Sequence, residues 1–158
     1  MINYIDNFLT EQEHKKVYEF CTKAKWTYGE LDYPGRPPTG MGSNINGNEW
    51  VYKLMMRRVL ETFEFLQPLN MYRMHMNIFA PGEWAYYHVD REEGYTVLYY
   101  PNLEWKLDDG GATEFCVDDQ MSGLYPVPNR VVVFDSSIWH RATSFRDRHR
   151  FSLALKFV

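Results

Sequence analysis

Cysteine is nearly absent from this 158-residue chain: Cys21 and Cys116 are the only two. They cannot build a disulfide framework, and a reducing compartment, the cytoplasm, is the expectation. No apolar stretch approaches the roughly 20 residues that span a bilayer, and the opening MINYIDNFLT does not read as a signal peptide, so no membrane partner is expected. Positive charge is not in excess either. Seventeen Lys+Arg stand against 21 Asp+Glu, for a formal charge of −4, which leaves no electrostatic footprint for nucleic acid as a partner. Internal repeats and low-complexity tracts are missing. Aromatic residues, in contrast, are plentiful at 17 % (5 Trp, 12 Tyr, 10 Phe), which argues against disorder. An apolar fraction of 45 % with 24 % charged residues is that of a soluble globular protein, and the length fits one domain.

The chain divides by hydrophobic period. Thr10-Glu11-Gln12-Glu13 is a capping box, and Val17, Phe20, Cys21 and Ala24 recur at helical spacing, which predicts a helix over 11–24. Three Pro and four Gly crowd 32–48, which reads as a long loop without regular structure. A second helix is expected over 49–66, with Val51, Met55, Val59, Thr62 and Leu66 on one face and Pro68 as its stop. After residue 70 the period shortens to two. Tyr72, Met74, Met76 and Ile78 alternate with Arg73, His75, Asn77 and Phe79, and strands follow at 95–100, 113–117, 131–134 and 151–158. The fold class is therefore α+β: helical support and a loop over 1–70, then a β barrel or sandwich over 71–158.

Within that β region lies a set of metal-ligating residue types. His88 and Asp90 stand at i and i+2, which point to one face if the backbone is a strand, and His140 lies 52 residues on. Two histidines and a carboxylate are the ligand set of non-haem Fe(II) oxygenases, where three protein ligands hold one face of an octahedron and leave three positions for cosubstrate and O2. Ten residues after His140 stands Arg150, a planar cation suited to gripping a carboxylate bidentately. On a strand it shares a face with Ser152 and Ala154, while Phe151, Leu153, Leu155 and Phe157 share the apolar opposite face.

The segments HVD (88–90), YTVLYYPN (95–102), Trp105, DDGGATEF (108–115), VPNRVVVFDSSIWH (127–140) and RFSLALKF (150–157) together resemble the 2-oxoglutarate/Fe(II)-dependent dioxygenases, in the prolyl 4-hydroxylase-like branch. Asp6 to Glu13 is also similar to the usual entry of that branch. HxD alone is a weak signal, but HxD, the Gly-Gly strand, the distal His and the Arg in order are a specific one. The resemblance implies a double-stranded β-helix core. It implies that His88, Asp90 and His140 bind Fe(II) and that Arg150 pairs with the C5 carboxylate of 2-oxoglutarate. Tyr100 would donate its hydroxyl to the same carboxylate, with Thr96 and Ser152 lining the cosubstrate pocket. O2 is then the second cosubstrate, ascorbate a supporting reductant, and hydroxylation with release of succinate and CO2 the reaction. The retained Asp90 argues for hydroxylation, since related halogenases have a small residue there. Ala80-Pro81-Gly82 departs from the pattern, because many relatives carry a cosubstrate-contacting Tyr in place of Ala80; Asn77, Tyr86 and Tyr87 are the substitutes in reach.

A peptidyl proline is the leading substrate by resemblance, with a free amino acid or other small molecule as the alternative. A non-catalytic cupin-like metal-binding protein is the alternative of a different class, disfavoured because cupins usually show HxH. Of the remaining candidates, His14 is read as a solvated helix residue, His149 is rejected as a ligand by strand parity, and Cys116 is read as a buried thiol. His75 is read as structural, with a substrate-facing role open to it. Trp84 and Trp139 are substrate-facing aromatics or core, with core the favoured reading. The 32–49 loop is a lid or a plain connector.

Overall fold

A computed structural model describes residues 1–32 and 34–158. A seven-stranded antiparallel sheet runs in the order β1-β8-β5-β10-β4-β3-β2, from β1 (Ile2–Ile5), β8 (Val131–Asp135), β5 (Tyr95–Tyr99), β10 (Arg150–Phe157), β4 (Met71–Phe79), β3 (Met41–Asn44) and β2 (Thr27–Tyr28). A three-stranded sheet, β7 (Gln120–Leu124), β6 (Thr113–Val117) and β9 (Trp139–Ala142), forms the second layer. Two helices, α1 (Glu11–Lys23) and α2 (Trp50–Thr62), complete the chain.

The helices cover one face of the large sheet. Val17 and Cys21 of α1 and Val51, Met55 and Val59 of α2 pack against Met74, Met76 and Ile78 of β4 and the odd-numbered residues of β10. The other face of the large sheet turns toward the small one, where Tyr100, Phe115, Val132 and Phe134 make a smaller apolar cluster. Period-2 alternation on β5 and β8 thus serves two cores at once, with Val97, Tyr99, Val131 and Val133 toward the helices and Leu98, Val132 and Phe134 toward the small sheet.

The capping box closes α1 as its sequence predicts, with the Glu13 amide donating to Thr10 Oγ1 and the Thr10 amide to the Glu13 carboxylate. The second helix is shorter than expected. It ends at Thr62, Phe63 leaves helical geometry, and a separate 3-10 turn (Glu64–Leu66) follows. Phe63, not Thr62, is the buried residue at that point; Thr62 is exposed and donates its hydroxyl back to the Arg58 carbonyl. The glycine-rich 32–48 stretch is not wholly irregular, since β3 lies within it. β3 pairs with β4 in the register Gly42↔Asn77 and Asn44↔His75. A Cβ at 42 would stand 2.8 Å from the Glu30 carboxylate, which would have to shift to admit it. The first 70 residues therefore do more than brace the β core: they add β1, β2 and β3 to it.

Candidate active site

His88 and His140 meet across a single isolated β-bridge between otherwise separate segments. The His88 amide donates to the His140 carbonyl (3.0 Å) and the His140 amide to the His88 carbonyl (2.9 Å). Asp90 follows in a bend, its amide donating to the Ser136 carbonyl at 3.0 Å. The shared face expected of His88 and Asp90 is real, but the backbone achieving it is one bridge and a bend rather than a continuous strand. Each imidazole is oriented by a main-chain carbonyl two residues back: Nδ1 of His88 on Tyr86 O and Nδ1 of His140 on Ile138 O, both at 2.9 Å. With Nδ1 donating, the lone pair falls on Nε2, which is the tautomer a metal requires. Both Nε2 atoms stand 3.7 Å from an oxygen of Asp90, and the three ligand atoms lie within 4.8 Å of one another.

Charge around the triad is held by its neighbours. Burial alone would raise the Asp90 carboxyl, but the Lys156 ammonium at 2.6 Å, His140 and the Thr96 hydroxyl outweigh it and hold the group well below the usual carboxylate range. Burial pushes His140 down to about 4, with Asp90 opposing, so it is neutral and ready to ligate at neutral pH. His75 on β4 is pushed down to about 3 by burial, with the Lys156 and Arg73 charges adding.

The triad opens into a cavity of about 250 Å³ between the two sheets. Its wall follows the register of β4 and β10 from an open to a closed end: Arg73 opposite Lys156, His75 opposite Ala154, Asn77 opposite Ser152, Phe79 opposite Arg150. Arg73, Glu30 and Leu31 sit at the accessible end, whereas Arg150 and Thr113 are each 1 % exposed. Arg150 donates from Nε to the Gly111 carbonyl (2.8 Å) and from Nη2 to Thr113 Oγ1 (2.7 Å). Gly111 has φ +73°, and a Cβ there would lie 2.3 Å from the Phe145 ring and 3.3 Å from Arg150 Cδ; the second glycine of DDGG is what lets the arginine pack. Among the described residues no carboxylate lies within ion-pair distance of Arg150. A fully buried guanidinium without a counter-charge costs several kcal/mol unless an anion joins it.

Each residue singled out in the sequence has a definite place. Ser152 and Thr96 line the cavity, and Thr96 spends its hydroxyl on Asp90 Oδ2 (2.5 Å). Tyr100 is fully buried, its hydroxyl 2.8 Å from Thr113 Oγ1, so Thr113 stands between it and the cavity. Of the three substitutes for the missing tyrosine, Asn77 reaches the cavity wall, while Tyr86 and Tyr87 border a separate shallow depression with Arg36, Trp139 and Arg141. Trp84 and Trp139 are not core: they are 54 % and 46 % exposed, and Arg141 stacks over the Trp84 ring at 5.0 Å. His14 is buried rather than solvated, its Nε2 3.0 Å from the Pro101 carbonyl. Cys116 is only partly buried, and His149 is exposed, remote from the triad cavity. Thr113 is a site residue that sequence patterns missed, and Lys156 joins it on the cavity wall. Lys156 shares the face of Arg150, Ser152 and Ala154, so parity was the available signal.

The donor set, two imidazoles and one carboxylate on one side of the cavity, matches the chemistry of a hard-to-intermediate divalent cation such as Fe(II). The family model described as the 2OG-Fe(II) oxygenase superfamily matches residues 67–157 and spans both the triad and Arg150. The chain belongs to the 2OG-Fe(II) oxygenase superfamily. Fe(II) and 2-oxoglutarate are accordingly the cofactor and cosubstrate of this 2OG-Fe(II) oxygenase. No curated protein matches its sequence. Solved structures do match in fold. A Pseudomonas putida prolyl-4-hydroxylase aligns with a TM-score of 0.78 at 20 % identity, over 99 % of this chain and 91 % of that one. A Trichoplax adhaerens prolyl hydroxylase, in complex with a peptide fragment of the hypoxia inducible factor oxygen degradation domain, aligns with 0.78 at 18 % identity, over 99 % and 82 %. HygX from Streptomyces hygroscopicus, with nickel and 2-oxoglutarate bound, aligns with 0.75 at 11 % identity, over 99 % and 82 %. The likeness confirms the double-stranded β-helix fold. No helix among the described residues is long and apolar enough to cross a membrane.

Proposed function

We propose that this oxygenase hydroxylates a polypeptide, with proline as the leading target, through His88, Asp90 and His140 as iron ligands and Arg150 as the anchor for the C5 carboxylate of 2-oxoglutarate. The observation that carries the cosubstrate assignment is the buried Arg150, which has no acid partner among the described residues and opens onto the triad's own cavity. Iron, O2 and 2-oxoglutarate supply the oxidising chemistry when bound, in which 2-oxoglutarate leaves as succinate and CO2 and a substrate C–H becomes C–OH.

The chain's own contribution is placement. The Tyr86 and Ile138 carbonyls hold the two Nε2 lone pairs toward one point. Thr96 holds one oxygen of Asp90, and Phe134, edge-on to His140 at 4.7 Å, keeps water from the ligand's apolar side. Thr113 takes up one guanidinium donor, Gly111 another, and Arg150's remaining N–H groups are left for an anion. A polypeptide is favoured by the exposed aromatic and cationic shelf of Arg36, Tyr86, Tyr87, Trp139 and Arg141, which adjoins the His88 and His140 segments and offers the flat faces on which proline rings pack. A free amino acid is the second reading, supported by the neutral polar wall of His75 and Asn77 inside the cavity.

The deciding assay is succinate formation from 2-oxoglutarate with Fe(II) and ascorbate, with a proline-containing peptide in one arm and free amino acids in the other. Peptide-stimulated turnover is expected. Stimulation by free amino acids alone would move the assignment to the second reading. Wild-type protein that takes up neither Fe(II) nor 2-oxoglutarate in an anaerobic titration would remove the oxygenase assignment from these residues.

A further inference from the structure

Lys156 is a charged side chain on the cavity wall that metal ligation and Arg150 leave without a role. It projects from β10 on the face that carries Arg150, Ser152 and Ala154, and its ammonium lies 2.6 Å from Asp90 Oδ1. Across β4 it faces Arg73, a second cation, and like charges directly opposite on a sheet repel. Arg73 is relieved by Glu30 at 2.9 Å, but among the described residues Lys156 pairs only with the Asp90 carboxylate. A buried ion pair is weak evidence for stability, because an apolar residue of similar volume would serve the fold as well. Asp90 does not need the lysine for orientation either. Thr96 holds Oδ2 at 2.5 Å and is itself 3.2 Å from Ser136 Oγ, so the carboxylate stays aimed without Lys156.

The charges on the wall suggest another purpose. 2-Oxoglutarate is a dianion, and the cavity offers three cations. Arg150 lacks a partner among the described residues, Arg73 is engaged by Glu30, and Lys156 is engaged only by Asp90. We propose that Lys156 is a positioning residue that couples cosubstrate to metal: it neutralises Asp90 in the metal-free chain and, with a divalent cation on Asp90, turns its ammonium to the chelating carboxylate of 2-oxoglutarate. The flexible four-carbon stem and three rotatable donors of lysine suit such an exchange of partners. The inference rests on the iron and cosubstrate assignment made above.

The exchange has a signature that a merely structural lysine would not produce, because removing the charge acts with opposite sign on the two ligands. Mn(II) alone no longer competes with an ammonium for Asp90 and should bind about tenfold tighter to Lys156→Met than to wild type. 2-Oxoglutarate, titrated anaerobically into the Mn(II)-loaded protein, should bind about tenfold more weakly to the variant. Lys156→Gln, which keeps length and a donor, should repeat both changes, and Lys156→Arg should restore cosubstrate binding. Thermal melts establish that each variant is folded. Both ligands weakened, both unchanged, or tighter metal with unchanged 2-oxoglutarate would each overturn the proposal. Wild-type protein that binds no Mn(II) fails the parent assignment instead, a result distinct from any of these.

Discussion

The two faces of β10 are built from one eight-residue strand and obey opposite rules. Phe151, Leu153, Leu155 and Phe157 face the helices, all at 7 % exposure or less, and fill the main core. Arg150, Ser152, Ala154 and Lys156 face the cavity, equally sheltered in the main but polar, charged or small. Burial therefore does not separate structure from function in this fold; satisfaction does. The odd face meets its partners within the chain. The even face presents a guanidinium without a counter-ion among the described residues and an ammonium paired with Asp90, the carboxylate proposed to hold the metal.

The contrast can be broken from either side. Leu153→Ala should cost about 2–5 kcal/mol of stability through the cavity it leaves, with Fe(II) and 2-oxoglutarate affinities unchanged in the folded fraction. Denaturant melts and anaerobic titration check the two halves of that statement. Arg150→Ala should do the reverse, weakening 2-oxoglutarate about a hundredfold and leaving metal affinity intact. Equal loss of metal and cosubstrate would make Arg150 a structural residue.

Acidification should produce a smaller effect on the cavity face. His75 and His140 are held at about 3 and about 4, below the histidine value of 6.5. Below pH ~6.5 the unfolded chain binds protons the native one refuses, so metal-free stability is full above that pH and falls as pH drops toward 4. Asp90, depressed in the fold, adds its loss below pH ~3.9, where the unfolded carboxylate protonates. A stability profile measured from pH 7 to 4.5 should slope downward, and His75→Phe should flatten it; a level wild-type profile would contradict the neutral imidazoles. Smallest of all, Thr113→Val should weaken 2-oxoglutarate about fivefold, ~1 kcal/mol, by removing one hydrogen bond from the guanidinium and leaving its charge.

How much of this was legible beforehand depended on whether a residue's partner lay in its own pattern. The triad, Arg150 and the parity of β10 were readable, because coordination number and period 2 are local statements about residue type and spacing. The α1 cap was readable for the same reason. β3 was not: Met41-Gly-Ser-Asn has no strand composition, and it is a strand because β4 on one side and β2 on the other supply its hydrogen bonds. His14 looked solvated because α1 is polar around it, but the chain from Tyr99 to Asn102, far away in sequence, covers its ring and takes its Nε2. Trp84 and Trp139 looked like core by composition and are displayed on the surface instead, beside Arg141 and the shelf it shares with Tyr87.

The reciprocal main-chain pair between His88 and His140 reaches beyond ligation. Because backbone amides and carbonyls fix the separation of the two positions, any side chains installed at 88 and 140 begin from the same spacing and aim. The polypeptide acts there as a fixed mounting, indifferent to what it carries. Substituted side chains at these two positions would start from one main-chain frame, although the one at 140 must also fit against Phe115 and Phe134.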